Sequence, residues 1–305
     1  MFFQRTIRER VTVEGIGIHT GEKAALHFCP APADFGIHFV RTDLPGRPSI
    51  PLDIRRVQAT FMATTLGGDQ FYVSTVEHCL SSLAALRVDN LIIELDGPEI
   101  PIVDGSAKPF LDAFIKVGVV ELEQPRKYFY ITQPIHVGDE NKYAYVVPYN
   151  GLRVTCVIDF PHPAIGRQEV DFDINEHVFK KEIAAARTFG FMKDVEALKA
   201  KGLIKGGSLD NAVVLDDEKI LNPGGLRFKD EFVRHKVLDT LGDLVTLGAP
   251  LMGHVVLYKS GHDMMNKFIQ KVLESKESTK RMELGTHIDE FEMTSFGNFM
   301  PAKRL

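Results

Sequence analysis

Residues 227–247 read RFKDEFVRHKVLDTLGDLVTL, and the rest of the chain is interpreted outward from them. Val233, Val237, Leu238, Leu241, Leu244 and Val245 recur at the three- and four-residue steps of an α-helix and fill one arc of it. His235, Asp239 and Asp243 stand at i, i+4 and i+8 on roughly the opposite arc. An imidazole and a carboxylate one turn apart project the same way. They either pair on a solvated face or share a metal ion. His-x-x-x-Asp is too common a pattern to decide between these. The sharper reading needs a third ligand, a base and a pocket supplied from elsewhere.

Composition narrows the class. The chain has 305 residues, 44% hydrophobic and 25% charged, ordinary for a globular protein and long enough for two modest domains. A net charge of -5 and a pI near 6.1 give no basic field for nucleic acid. The opening MFFQRTIRER lacks an apolar core of signal-peptide length, and no apolar run is long enough to span a membrane. Cys29, Cys79 and Cys156 are odd in number and far apart, which suits a reducing cytoplasm and argues against a disulfide framework.

The element order repeats itself. Thr6–His19, Ala24–Cys29 and Gly36–Thr42 read as strands. Ser74-Thr75-Val76-Glu77 reads as a capping box opening a helix whose buried face is Val76, Leu80, Leu83, Ala84 and Leu86. Glu77 is then a plain cap and His78 a surface residue unless other groups recruit them. Leu91–Leu95 is a strand, and a helix follows Ser106. After a link near 122–127 come strands at Tyr128–Val137, Tyr143–Val147 and Leu152–Ile158, a helical segment Glu176–Ala186, the helix quoted above, a strand at Met252–Tyr258 and a helix Met264–Val272. The fold class expected is α+β: two similar domains, 1–124 and 125–277, each a mixed sheet with helices on one face. Segment 190–214 interrupts the second as a short amphipathic helix, a Gly206-Gly207 turn and a strand. Such an insertion more often shapes a site than completes a core. Residues 278–305 read as a mobile or loosely docked tail.

A hydrolytic zinc ion commonly takes three protein ligands and leaves a position for water. His235 and Asp239 would supply two, and His78 the third from the matching helix of the other domain. Glu77, beside His78, would then reach the attacking water as general base. Thr188 and a cationic His262, its charge held by Asp243, would serve the oxyanion. Eleven histidines allow other combinations, so spacing alone leaves this open.

Longer motifs carry more. Gly15-Ile16-Gly17-Ile18-His19-Thr20-Gly21, Ser74-Thr75-Val76-Glu77-His78, Pro101-Ile102-Val103-Asp104-Gly105-Ser106, Ala186-Arg187-Thr188-Phe189-Gly190-Phe191-Met192, Asp230-Glu231-Phe232-Val233-Arg234-His235-Lys236 and Lys259-Ser260-Gly261-His262 run in order along the chain. Together they resemble the UDP-3-O-acyl-N-acetylglucosamine deacetylases, zinc enzymes of lipid A synthesis in Gram-negative bacteria. The resemblance implies a site between two helical layers, with His78, His235 and Asp239 as Zn2+ ligands and Glu77 as general base. It implies His262 as the cationic acid, Asp243 as its partner and Thr188 as an oxyanion donor. Water would attack the N-acetyl carbonyl of UDP-3-O-(3-hydroxyacyl)-N-acetylglucosamine, releasing acetate and an amine. Phe191, Val195, Ala197, Gly207, Ser208, Ala212 and Val214 would line a passage for the acyl chain. Phe189 and Lys236 would lie near the sugar, and Lys142 and Phe160 near the uridine diphosphate. A cytoplasmic monomer with a UDP-sugar substrate and no nucleic-acid partner is expected. Ala63 departs from a cysteine found near the metal in some members, Pro161 from a polar position, and the tail beyond 285 matches nothing.

Overall fold

A computed structural model of the chain describes residues 3–68 and 70–284. Among the described residues are six α-helices: α1 (Glu77–Leu86), α2 (Lys108–Val117), α3 (Glu176–Val178), α4 (Met192–Ala200), α5 (Glu231–Val245) and α6 (His262–Glu274). The molecule is mixed α+β, as the sequence implies.

The first large sheet has five strands in the order Val11–Ile16, Lys23–Pro30, Leu91–Leu95, Ile37–Arg41, Ser49–Pro51. Lys23–Pro30 alternates buried and half-exposed positions, so Ala24, Leu26 and Phe28 face one way. Phe28 sets its ring edge-on against Phe114 of α2, with centroids 4.7 Å apart, and also meets Phe110. Those aromatic contacts fix the helix on the sheet.

The second sheet has eight strands and is organised around Leu251–Tyr258. That strand pairs antiparallel with Tyr143–Val147 and parallel with Leu152–Phe160. Its Leu251, Gly253, Val255 and Leu257 all point into the core. α5 packs on this sheet with one side and on α1 with the other.

Several sequence expectations change. The span read as one strand over Thr6–His19 is two, Phe3–Ile7 and Val11–Ile16, which join different sheets. The link expected near 122–127 is continuous strand, Val119–Ile131, because its first half pairs with Phe3–Ile7 and its second with Thr279–Leu284. That last strand also corrects the tail reading for residues 279–284; residues 285–305 lie outside the described residues. The segment expected as helix over Glu176–Ala186 is one α-helical turn running into a wider π turn at Phe179–Ile183. Segment 190–214 contributes α4 between two short parallel strands, Phe189–Phe191 and Val213–Leu215.

α5 does not present a solvated arc. His235, Asp239 and Asp243 are as buried as the leucines opposite them. Helical periodicity reports where apolar residues fall and cannot report a second protein layer covering the polar arc. The two helices approach at Gly242, where a Cβ would lie 2.1 Å from the carbonyl oxygen of Glu77. The obstructing atoms are backbone, so a side chain there forces α1 and α5 apart. Gly242→Ala is expected to destabilise the protein by about 1–3 kcal/mol despite alanine's better helix propensity. A thermal melt at or above that of the parent chain would show that the approach is not tight.

Candidate active site

The first turn of α1 carries Glu77 and His78, and the sequence reading of its cap is incorrect. Val76 is the N-cap and makes no side-chain capping bond; the Ser74 hydroxyl pairs with Thr65 instead, at 3.0 Å. Glu77 is freed from capping. One of its oxygens, Oε2, accepts the Thr64 N–H at 3.1 Å. Burial raises its carboxyl above the ordinary value, with His262 and His78 opposing that shift.

His78, His235 and Asp239 converge in the interior. Their ligand atoms lie within 4.8 Å of one another, and all three residues are buried. The Nε2 atoms of His235 and His78 stand 3.2 Å and 3.7 Å from Asp239 Oδ1. His235 donates Nδ1–H to the Ala186 carbonyl at 3.0 Å, which turns Nε2 and its lone pair toward Asp239. Burial lowers the His235 pKa to about 3 against the pull of Asp239, leaving the ring neutral. Burial would raise Asp239, but His235 and Lys236 hold it well below the usual carboxylate range. Lys236 Nζ binds the outer oxygen, Oδ2, at 2.8 Å. Asp239 Oδ1 and His78 Nδ1 are buried without a hydrogen-bond partner. An orphaned carboxylate oxygen is costly in an apolar interior. Two imidazoles and one carboxylate form the donor set of a zinc-type divalent ion, which these residues fit.

His262 is the first residue of α6 with its side chain 9% exposed, where the sequence reading begins that helix only at Met264. Its Nδ1 meets Asp243 Oδ2 at 2.8 Å, and Thr64 Oγ1 donates to the other Asp243 oxygen at 2.6 Å. Burial alone would lower the imidazole pKa. Asp243, Glu77 and Asp239 outweigh that and raise it to about 10, so the ring is cationic at neutral pH. Its Nε2 points back into the site, 3.7 Å from Glu77 Oε1 and 3.9 Å from Asp239 Oδ2.

Two cavities open from this cluster. One, of about 490 Å³, is lined by Phe160, Phe189, His235, Lys236, Asp239 and His262 among others. The second, of about 290 Å³, is mainly apolar and runs between α4 and the Gly207–Ala212 segment. Glu77, His78, Thr188, Phe189 and Phe191 line both, so the two are continuous at the polar cluster. Val195, Gly207, Ser208, Ala212 and Val214 face the apolar cavity, and Ala197 faces the larger one. Phe160 packs edge-on against Phe189 with centroids 5.7 Å apart. Lys236 Nζ stands 5.5 Å over the Phe189 ring. Lys142 is on an exposed turn whose backbone is folded around Asp139, outside both linings.

Three groups escape sequence reasoning. Thr64, in an unremarkable Phe61-Met62-Ala63-Thr64-Thr65 stretch, touches Glu77, Asp243 and His262 at once. His19 lines the apolar cavity with a buried, unpartnered Nδ1. Arg187 forms a buried pair with Glu231, Nε to Oε1 at 2.8 Å, which pins the Ala186–Thr188 segment to the start of α5. Only the adjacency of Arg187 to Thr188 hints at this in the sequence.

The chain was compared with known proteins. The family model described as UDP-3-O-acyl N-acetylglycosamine deacetylase matches residues 4–274. Among curated relatives, the UDP-3-O-acyl-N-acetylglucosamine deacetylase of Bdellovibrio bacteriovorus is 62% identical over 290 residues, 95% of this chain and 96% of its own length. Those of Myxococcus xanthus and a Shewanella species are 48% and 46% identical, over 88% and 91% of this chain and 86% and 92% of their own lengths.

Asp239→Ala removes the carboxylate that two imidazoles face, and bound divalent metal is expected to fall well below one per chain. Elemental analysis showing full occupancy in that variant would remove Asp239 from the ligand set.

Proposed function

The chain belongs to the UDP-3-O-acyl-N-acetylglucosamine deacetylase family, enzymes of the committed step of lipid A biosynthesis, and from that premise we propose how its own residues perform the hydrolysis. The substrate is UDP-3-O-(3-hydroxyacyl)-N-acetylglucosamine. One observation carries the reading: a buried carboxylate and a buried imidazolium, Glu77 Oε1 and His262 Nε2, face each other 3.7 Å apart beside the His78–His235–Asp239 group. That is a base and an acid held side by side at the edge of a site for one small reacting group.

We assign zinc to His78, His235 and Asp239; when bound, it supplies a Lewis acid that brings water toward ionisation at neutral pH and polarises the acetyl carbonyl. Glu77 takes the proton from water as the oxygen adds to the acetyl carbon. Thr64 holds Oε2, so Oε1 is the oxygen that faces the site. The oxyanion that develops meets the Nε2–H of His262 and the Thr188 hydroxyl. Asp243 and Thr64 keep the His262 ring charged and aimed. As the C–N bond breaks, the leaving nitrogen takes a proton from the His262 imidazolium, giving the glucosamine amine and acetic acid; the proton taken up by Glu77 returns to His262, and the acid leaves as acetate.

The apolar cavity, with Phe191, Gly207, Ser208 and Val214 in its wall, suits the 3-hydroxyacyl chain. Phe189 and Lys236 in the larger cavity suit the sugar. Phe160 suits the uridine diphosphate end, with Lys142 approaching from outside. A monomer remains our proposal. The described residues include no helix long and apolar enough to cross a membrane. Three free cysteines and a nucleotide-sugar substrate support a cytoplasmic setting. Two units, 1–124 and 125–277, with 190–214 inserted in the second, remain our proposed division.

Glu77→Ala is expected to retain zinc and lose turnover by about 10²–10⁴-fold, the range for removing a general base. Near-normal acetate release would exclude Glu77 as the base. Chelation of the parent chain is expected to abolish acetate release and added zinc to restore it. Release that persists in fully metal-stripped protein would refute a metal-dependent reaction.

A further inference from the structure

We propose that Glu99 is a positioning residue that couples the wall of the acyl passage to the helix carrying the base and a metal ligand. The proposal rests on the deacetylase reading above. Glu99 is only 2% exposed, yet its carboxylate touches nothing in the reacting cluster. It accepts the His19 N–H and the Thr20 N–H, each at 2.8 Å, and the Thr20 hydroxyl at 2.7 Å. From the other side it accepts the Thr75 hydroxyl at 3.2 Å. Two amides and two hydroxyls thus replace the water this charge gives up.

The two sides it joins have different tasks. His19, with Ile18, forms part of the apolar cavity's wall. The inserted segment docks on these residues through Lys205 N–H to the His19 carbonyl and Gly206 N–H to the Ile18 carbonyl, both 3.1 Å. Gly17 leaves the room this needs, since a Cβ there would sit 2.2 Å from Glu99 Oε2. Thr75 stands two residues before Glu77 with φ +60, a left-handed conformation that β-branched residues rarely adopt. A buried hydrogen bond to a fixed carboxylate holds it there. The backbone of Glu99 also lies alongside Ser74, with Ile100 N–H bonding the Ser74 carbonyl at 3.0 Å. An acyl chain pressing on the His19 wall therefore acts on the same carboxylate that sets the entry to α1. Binding energy from a remote part of a substrate raises turnover only when such a link carries it to the reacting groups.

The test compares Glu99→Gln and Thr75→Val with the parent chain, using substrates that carry a long 3-hydroxyacyl chain or a short acyl group. The glutamine amide places N–H against the donors of His19 and Thr20; the valine removes only the Thr75 bond at constant shape. Zinc content of both variants and KM of Glu99→Gln are expected to stay near parent values. For the long-chain substrate, kcat should fall on the order of tenfold. The parent's kcat advantage of long over short acyl chains should shrink. Hydrogen exchange supplies a readout apart from turnover. The deacetylated long-chain product should slow exchange across residues 74–80 in the parent and not in Glu99→Gln. Should Glu99→Gln fail to fold, both comparisons pass to Thr75→Val. An unchanged long-to-short kcat ratio with unchanged exchange overturns the proposal, as does a parallel loss for both substrates that tracks zinc loss. A parent chain that releases no acetate would instead overturn the deacetylase reading.

Discussion

The backbone contact between Gly242 of α5 and Glu77 of α1 is the constraint on which the site depends. α5 carries His235, Asp239 and Asp243; α1 carries Glu77 and His78. Neither helix alone holds the whole of the buried His78–His235–Asp239 group, and Glu77 meets Thr64 and His262 only in that setting. Their reach is a few ångströms, so the groups meet only if the two backbones touch. A glycine in mid-helix costs stability locally, and the absent Cβ is what permits the approach. The sheets bury the far sides of the two helices and keep that contact from opening.

Such closeness concentrates charge at the inner end of the two cavities. Glu77, Asp239, Asp243, Lys236 and His262 would each be costly to bury alone. The arrangement offsets this by pairing: Lys236 with Asp239, Asp243 with His262 and Thr64, Glu77 with the Thr64 amide. Arg187 and Glu231 form a separate buried pair that fixes the Ala186 carbonyl under His235. Asp239 Oδ1 and His78 Nδ1 remain unmatched at the junction. Satisfied groups around an unsatisfied oxygen are the signature of a ligand site more than of a structural ion-pair network.

The apolar cavity shows a second kind of preorganisation. Met62, Thr75 and Ile204 all line it and all have φ between +49 and +67, where non-glycine residues are uncommon. At Thr75 the hydrogen bond to Glu99 holds that conformation. Three such residues in one cavity wall are consistent with a shape selected for binding.

Much of this was present in the sequence. Alternation marked the sheets, helical spacing marked α1, α2, α5 and α6, and the step from His235 to Asp239 set two groups on one face of a helix. Motif resemblance then named the family and its candidate residues. Local pattern misled wherever a partner far along the chain decided the outcome. The Ser74 capping box gave way because Glu77 is claimed by Thr64. Residues 122–127 became strand because Phe3–Ile7 and Thr279–Leu284 pair with it. His262 proved buried because Asp243 and Thr64 meet it across the fold. The sequence by itself determined most of the element types, the His235–Asp239 spacing along α5 and the family. Only the tertiary structure decided which polar groups are buried together, and hence which are neutral, which are charged and which are left without a partner. Desolvation and charge coupling depend on distance in space, which residue order does not encode.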